Sequence, residues 1–293
     1  MDIGDWAATR DLNDIYRQIR ALGLETNLAE LEAFGFTVIE GALAKADVVA
    51  MRSAILAIAE QRMGRSIDLE REEDHKEVAL IPYLLFKDPI FKRAVLNEKQ
   101  LALITYLLGK HCVLSSLTCH LKGPGGGGLL LHSDTANNIP DPFSAYSHVA
   151  NTNYALTDYT QEGGCLAMVP GSHRLHRQPT RGEVALDGPE RNTHAIAIEV
   201  PAGSAVVWHG NTWHGSFPRK RPGLRVNLAT YFCREYIVPQ EAYRGNVPDG
   251  FVEQGEARLR TLLGEDIVHG WKDDGPSEKF YARRTGRGRT WQG

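Results

Sequence analysis

Cysteine is scarce: four residues in 293, Cys112, Cys119, Cys165 and Cys233, with no C-x-x-C pair among them. That spacing excludes a zinc knuckle and a thioredoxin-type redox motif, and scattered thiols in a chain of this length fit a reducing compartment. No apolar run approaches the roughly 18 residues that cross a bilayer. The stretch Met1-Asp2-Ile3-Gly4-Asp5 lacks the basic and apolar regions of a secretory signal. An excess of one charge is also missing. The chain carries 33 Lys and Arg against 36 Asp and Glu, a formal net charge of -3, which gives no reason to expect nucleic acid or a membrane as partner. A cytoplasmic protein acting on a small molecule is the expectation, and no residue pattern specifies an oligomeric state. The run Gly123-Pro124-Gly125-Gly126-Gly127-Gly128 lacks the G-K-[ST] ending of a phosphate loop and reads as a flexible turn.

What is present is an ordinary globular composition, 42% hydrophobic and 24% charged, in a chain long enough to bury a large core. Apolar residues recur at helical intervals over Asp11–Phe34, Ala42–Arg62 and Asp88–Leu108, with a β-branched run, Phe36–Ile39, between the first two. After His111 the texture changes to short β-type runs separated by Gly, Pro, Asn and Asp: Cys112–Leu121, Leu129–His132, His148–Leu156, Cys165–Val169, His194–Val200, Ala205–Trp208 and Arg225–Phe232. Pro248–Gly264 returns to a helical pattern. The expected fold class is α+β with a β-dominated sandwich or barrel. One domain is expected, with residues 1–110 as mostly helical support, 111–235 as the β core and 236–293 as a C-terminal helix and basic tail. That tail holds Arg283, Arg284, Arg287 and Arg289 among glycines.

The informative chemistry is Leu130-Leu131-His132-Ser133-Asp134. Residues i and i+2 of a strand project from one face, so His132 and Asp134 aim at one point. A histidine and a carboxylate so placed are two-thirds of the facial triad that binds iron(II) and leaves positions open. The third ligand must come from a distant strand, and Gly203–Ser216 offers His209 and His214. A 2-oxoglutarate enzyme must also grip the cosubstrate's far carboxylate, for which Arg provides a two-pronged contact. Arg225 opens a strand-like run, sixteen residues past His209 and eleven past His214. Along Ser116–Lys122 the polar residues share one parity, so Thr118, His120 and Lys122 line a cosubstrate pocket or face solvent.

These elements form an ordered set: His132-Ser133-Asp134, Asn151–Asp158, Gly163-Gly164, Pro170-Gly171-Ser172-His173-Arg174, Pro201-Ala202-Gly203-Ser204, Trp213-His214-Gly215-Ser216 and Arg225. In that order and spacing the chain resembles the phytanoyl-CoA dioxygenase family of iron(II)/2-oxoglutarate-dependent dioxygenases. The resemblance extends upstream to Phe36–Gly41 and downstream through Tyr231. It implies a double-stranded β-helix (jelly roll, cupin-like) flanked mainly by N-terminal helices, with iron(II), 2-oxoglutarate and dioxygen as cofactor and cosubstrates. It also implies that the distal ligand is the histidine eleven residues before the arginine, His214, which leaves His209 at a strand end and His173 in a structural turn. Ser216 then resembles a donor to the cosubstrate carboxylate, and Asn151 a cosubstrate contact. Leu129 departs from the polar residue of some relatives.

Related halogenases carry a small residue in place of the carboxylate; Asp134 is present, which favours hydroxylation of a small organic molecule such as a secondary metabolite, or desaturation or cyclisation. The competing readings are a cupin-like metalloenzyme independent of 2-oxoglutarate, whether dioxygenase or isomerase, and a non-catalytic jelly-roll binding protein. Thr135–Tyr146, with Phe143 and Tyr146, and the stretch Arg71–Tyr83 are candidate lids over the site.

Overall fold

In a computed structural model that describes residues 7–277 apart from 75–77, 126 and 268, the chain opens with α1 (Ala7–Ala21), α2 (Glu25–Phe34), β1 (Phe36–Ile39) and α3 (Lys45–Met63). The single helix expected over Asp11–Phe34 is therefore two. Gly23 takes a left-handed φ of 66°, and the Leu24 N–H turns back to the Ile19 carbonyl at 3.0 Å, closing the first helix. The chain continues through β2 (Leu80–Ile81), α4 (Phe91–Val95) and α5 (Glu98–Leu108). The run Asp88–Leu108 also divides, because the Asn97 side chain accepts the Gln100 N–H at 3.1 Å and starts a new helix.

The β core follows as β3 (Val113–Lys122), β4 (Leu129–His132), β5 (Val149–Ala155), β6 (Leu166–Met168), β7 (Ile196–Ala197), β8 (Ala205–His209), β9 (His214–Ser216) and β10 (Arg225–Cys233). The run His194–Val200 shrinks to β7 and one bridge from Val200 to Tyr159. The chain then gives α6 (Ala257–Leu262) and a small hairpin of β11 (Trp271–Lys272) and β12 (Gly275–Pro276). The helix expected over Pro248–Gly264 is thus shorter, since Gly250 and Gly255 hold turns with φ of 74° and 105°. The basic tail, with its four arginines, lies outside the described residues.

Two antiparallel sheets make the core, one ordered β1-β8-β5-β10-β3-β2 and the other β4-β9-β6-β7. This is the expected β-dominated jelly roll. The alternation of the long strands decides what goes where. On β3, Leu117, Cys119 and Leu121 enter the apolar cluster shared with α3 and α5, while Ser116, Thr118, His120 and Lys122 line a cavity. On β10, Val226, Leu228 and Phe232 join that cluster, while Arg225, Asn227 and Tyr231 line the cavity. The helices thus cover one face of the larger sheet; on its other face β3 and β10 are polar where they line the cavity, while Phe36, Val206 and Trp208 pack in a second apolar cluster with β6.

Close approach fixes two glycines. Gly35 turns from α2 into β1 at φ 85°, and a Cβ there would stand 2.5 Å from His173 Nδ1 and Thr212 Oγ1. A Cβ on Gly215 would stand 2.3 Å from the Leu129 carbonyl oxygen, so only glycine lets β9 lie this close to β4.

Candidate metal and cosubstrate site

The cavity has a volume of about 570 Å³ and is lined from both sheets. At one place on its wall the side chains of His132, Asp134 and His214 converge, with one ligand atom of each within 4.8 Å of the others. β4 ends at His132, and Asp134 opens a turn of 3-10 helix, so the pair does not lie wholly on a strand. Ser133 keeps an extended backbone (φ -113°, ψ 133°), which preserves the shared direction. β9 brings His214 opposite His132 in register.

The hydrogen bonds around the three residues fix their donor atoms. His132 Nδ1 lies 2.9 Å from the Leu130 carbonyl and His214 Nδ1 lies 3.0 Å from the Thr212 carbonyl. A carbonyl only accepts, so each Nδ1 carries the proton and each Nε2 presents a lone pair. Those Nε2 atoms face the carboxylate of Asp134 at 3.8 Å and 3.5 Å. Oδ1 is the oxygen nearest His132 and Oδ2 the one nearest His214, and Oδ2 also accepts the Trp208 indole N–H at 3.1 Å and the Asn151 amide at 3.3 Å. Burial holds the His214 ring neutral, down to about 4, against the opposing pull of Asp134. Two imidazole lone pairs and a carboxylate turned towards each other repel unless a cation sits among them. The donor set of two nitrogens and one carboxylate oxygen suits iron(II).

A second part of the same wall is cationic. Arg225 and Lys122 are directly paired across β10 and β3, an arrangement of like charges that destabilises a sheet unless an anion joins them. The Arg225 guanidinium donates to the Gly164 carbonyl at 2.7 Å and lies 5.3 Å over the Tyr159 ring, while its buried Nε has no partner among the described residues. Lys122 Nζ donates to Ser216 Oγ at 2.7 Å. Partial burial, then the neighbouring Arg225, pushes Lys122 down to about 7. His120 opens onto the cavity; enclosure of its ring, then Arg225 and Lys122, hold it near 4. Thr118 lines the same wall. Two cations with neutral hydrogen-bond acceptors, and an Arg225 Nε with no partner among the described residues, fit a bound carboxylate.

Several expectations find a definite place. His209 is buried away from the triad, its Nδ1 accepting the Asn211 N–H at 3.0 Å, and its ring lies 5.5 Å from that of His173. Asn151 spends its amide N–H on Asp134, while its buried Oδ1 has no partner among the described residues, and the residue lines the cavity. Neither lid aromatic lines the cavity: Phe143 is buried beneath its loop, and Tyr146 lies under the Arg234 guanidinium at 5.2 Å. From Arg71–Tyr83, Ala79 and Leu80 reach the cavity wall. Trp208 was not singled out from the sequence. Its position on β8, next to His209, signals a core strand and nothing about an acid across the barrel.

The profile of the phytanoyl-CoA dioxygenase (PhyH) family matches residues 31–226, more than half of the chain and every residue of both sites. The chain belongs to the PhyH family. It is accordingly an iron(II)- and 2-oxoglutarate-dependent dioxygenase. It is 25% identical to Dioxygenase af480 of Aspergillus fumigatus (strain ATCC MYA-4609 / CBS 101355 / FGSC A1100 / Af293), over 85% of this chain and 79% of that protein. It is 31% identical to Phytanoyl-CoA dioxygenase 1 of Oryza sativa subsp. japonica, over 49% of this chain and 53% of that one. Its fold is similar to that of the epimerase SnoN in complex with Fe3+, alpha ketoglutarate and nogalamycin RO. That likeness has a TM-score of 0.55 at 18% identity, over 88% of this chain and 96% of SnoN. Among the described residues, no helix is long and apolar enough to cross a membrane.

Proposed function

We propose that this PhyH-family dioxygenase hydroxylates an unactivated C–H bond of a small organic molecule, with His132, Asp134 and His214 as iron ligands and Arg225 as the anchor of 2-oxoglutarate. The observation that carries the reading is that one cavity holds both the three converging ligand atoms and the paired cations Arg225 and Lys122. An iron(II) ion at the triad supplies the activation of dioxygen that couples decarboxylation of 2-oxoglutarate to succinate with insertion of oxygen into substrate. Trp208 and Asn151 would hold the Asp134 carboxylate in place through their hydrogen bonds to Oδ2. The two backbone carbonyls on the histidine Nδ1 protons fix the tautomer that a ligand needs.

At the other end, Arg225 Nε and its unused guanidinium protons grip the distal carboxylate, and Ser216 donates its hydroxyl hydrogen while accepting from Lys122. Thr118 and His120 complete the cosubstrate wall, and Asn151, whose Oδ1 has no partner among the described residues, lines the same space. Ala79, Leu80 and Leu129 give the cavity an apolar side, in a volume suited to a small or medium organic substrate. Asp134 occupies the position that a halogenase keeps small, which supports hydroxylation, or desaturation or cyclisation. The test is succinate release across a panel of candidate compounds in the presence of iron(II), 2-oxoglutarate and dioxygen. A compound that raises succinate release in step with its own oxidation supports the proposal. Oxidation that proceeds without 2-oxoglutarate contradicts it.

A further inference from the structure

β4 carries His132 at its end, yet it is the edge strand of the smaller sheet, and its pairing with β9 is irregular between Leu129 and His132. An edge strand with a broken ladder needs other partners to fix its last residues. Here they come from the loop after the Pro170–Arg174 turn. The Leu131 N–H donates to the Val184 carbonyl at 3.0 Å. More pointedly, Gln178 addresses both backbone groups of Ser133, the residue between the two ligands. Its Oε1 accepts the Ser133 N–H at 3.0 Å, and its Nε2 donates to the Ser133 carbonyl at 3.0 Å.

The Ser133 N–H belongs to the peptide that follows His132, and the Ser133 carbonyl to the peptide that precedes Asp134. One carboxamide therefore holds both peptide planes that link the two ligands. An N–H must meet the oxygen and a carbonyl must meet the nitrogen, so the orientation of the amide is settled by its partners. Ser133 is 1% exposed, which leaves little room for water to replace either bond.

Gln178 is itself held. Its N–H donates to Asp141 Oδ1 at 3.2 Å, and its carbonyl accepts Arg177 Nη1 at 2.9 Å. The preceding carbonyl, that of Arg177, accepts the Trp213 indole N–H at 2.8 Å, and the Arg177 guanidinium lies 4.7 Å over the Trp213 ring. Trp213 directly precedes His214. A two-residue segment, Arg177-Gln178, thus touches the chain neighbours of all three ligands, from a loop that contributes no ligand.

We propose that Gln178 is a positioning residue of the metal centre, setting the relative aim of His132 and Asp134 through the two peptides it holds. The proposal rests on the triad being the metal site. Partners of this kind typically affect metal affinity by about 10–100-fold.

The test is anaerobic titration of the metal-free protein with Co(II), followed by its visible ligand-field absorption, in wild type and the Gln178→Ala, Gln178→Glu and His214→Ala variants. Melting temperatures of the metal-free proteins are measured alongside. Gln178→Ala removes both bonds. Gln178→Glu keeps shape and the Ser133 N–H contact but sets an oxygen against the Ser133 carbonyl. The expected result is Co(II) binding about 10–100-fold weaker in both variants, with a changed absorption envelope, in protein that remains folded at the titration temperature. Wild-type affinity and spectrum in a folded Gln178 variant would overturn the proposal, as would a lower melting temperature with unchanged affinity. If Gln178→Ala does not fold, Gln178→Glu decides; if neither folds, Gln178 is a folding residue and the proposal fails. Wild type binding no better than His214→Ala would instead sink the metal-site reading beneath it.

Discussion

At the scale of single residues, the centre works by denying protons and donors any other use. Asp134 receives two hydrogen bonds on one oxygen, and both histidines spend their N–H on carbonyls, so the remaining lone pairs converge. Arg225 is the counterpart for an anion. Loss of one partner of a buried charged contact costs about 2–5 kcal/mol, so Arg225→Ala should raise the KM for 2-oxoglutarate by tens- to thousands-fold. Arg225→Lys should recover little of it, because an ammonium lacks the fork. Steady-state succinate release at varied 2-oxoglutarate measures both. Trp208→Phe keeps an aromatic ring but removes the donor to Asp134; metal affinity should fall by about ten- to a hundredfold, the worth of one charge-assisted hydrogen bond, in the same Co(II) titration. His132, Asp134, His214 and Arg225 were legible as candidates because their order and spacing resemble the family's pattern. Trp208 and Gln178 were not, since their contacts cross 74 and 45 positions of chain and depend on the fold.

Among the elements, the long strands were legible because a two-residue alternation repeats over enough positions to be read. That alternation on β3 put Thr118, His120 and Lys122 on one face, left open between cavity and solvent, and the fold turns that face to the cavity. Helix ends were less legible: Gly23 and Asn97 divide runs whose apolar periodicity continues across the break. β7 and β9 are two and three residues long, too short to carry a pattern. β9 is nonetheless the critical strand, since it seats His214 and Ser216 on either side of Gly215. Gly215→Ala places a Cβ against the Leu129 carbonyl oxygen at 2.3 Å. The strands must then separate, at a cost of about 1–3 kcal/mol for an overpacked contact, and His214 moves away from its partners. The expected outcome is a lower melting temperature together with weakened metal binding. A variant with lowered stability and wild-type metal affinity would show that β9 does not set the distance between the ligands.

Over the whole molecule, the polar cavity inside an apolar shell imposes a pH dependence. Burial holds His209 near 3 and His214 near 4, below the ordinary histidine value near 6.5. The folded metal-free protein therefore binds fewer protons than the unfolded chain between about pH 4 and 6.5, and its stability falls as pH falls through that window. Each group contributes at most about 1.4 kcal/mol per pH unit there. Urea unfolding of the metal-free protein at pH 7 and pH 5 should show a lower midpoint at pH 5; an unchanged midpoint would contradict the buried neutral histidines. The overall architecture was legible from the switch of texture after His111, where helical periodicity gives way to short β runs. The most direct test of the centre as a whole is anaerobic addition of iron(II) and 2-oxoglutarate to the folded protein, watched for the weak visible charge-transfer band. The expected band requires both additions, saturates at one equivalent of iron, and is lost in His214→Ala. Well-folded, iron-loaded protein that shows no band with 2-oxoglutarate would contradict the assignment of His132, Asp134, His214 and Arg225.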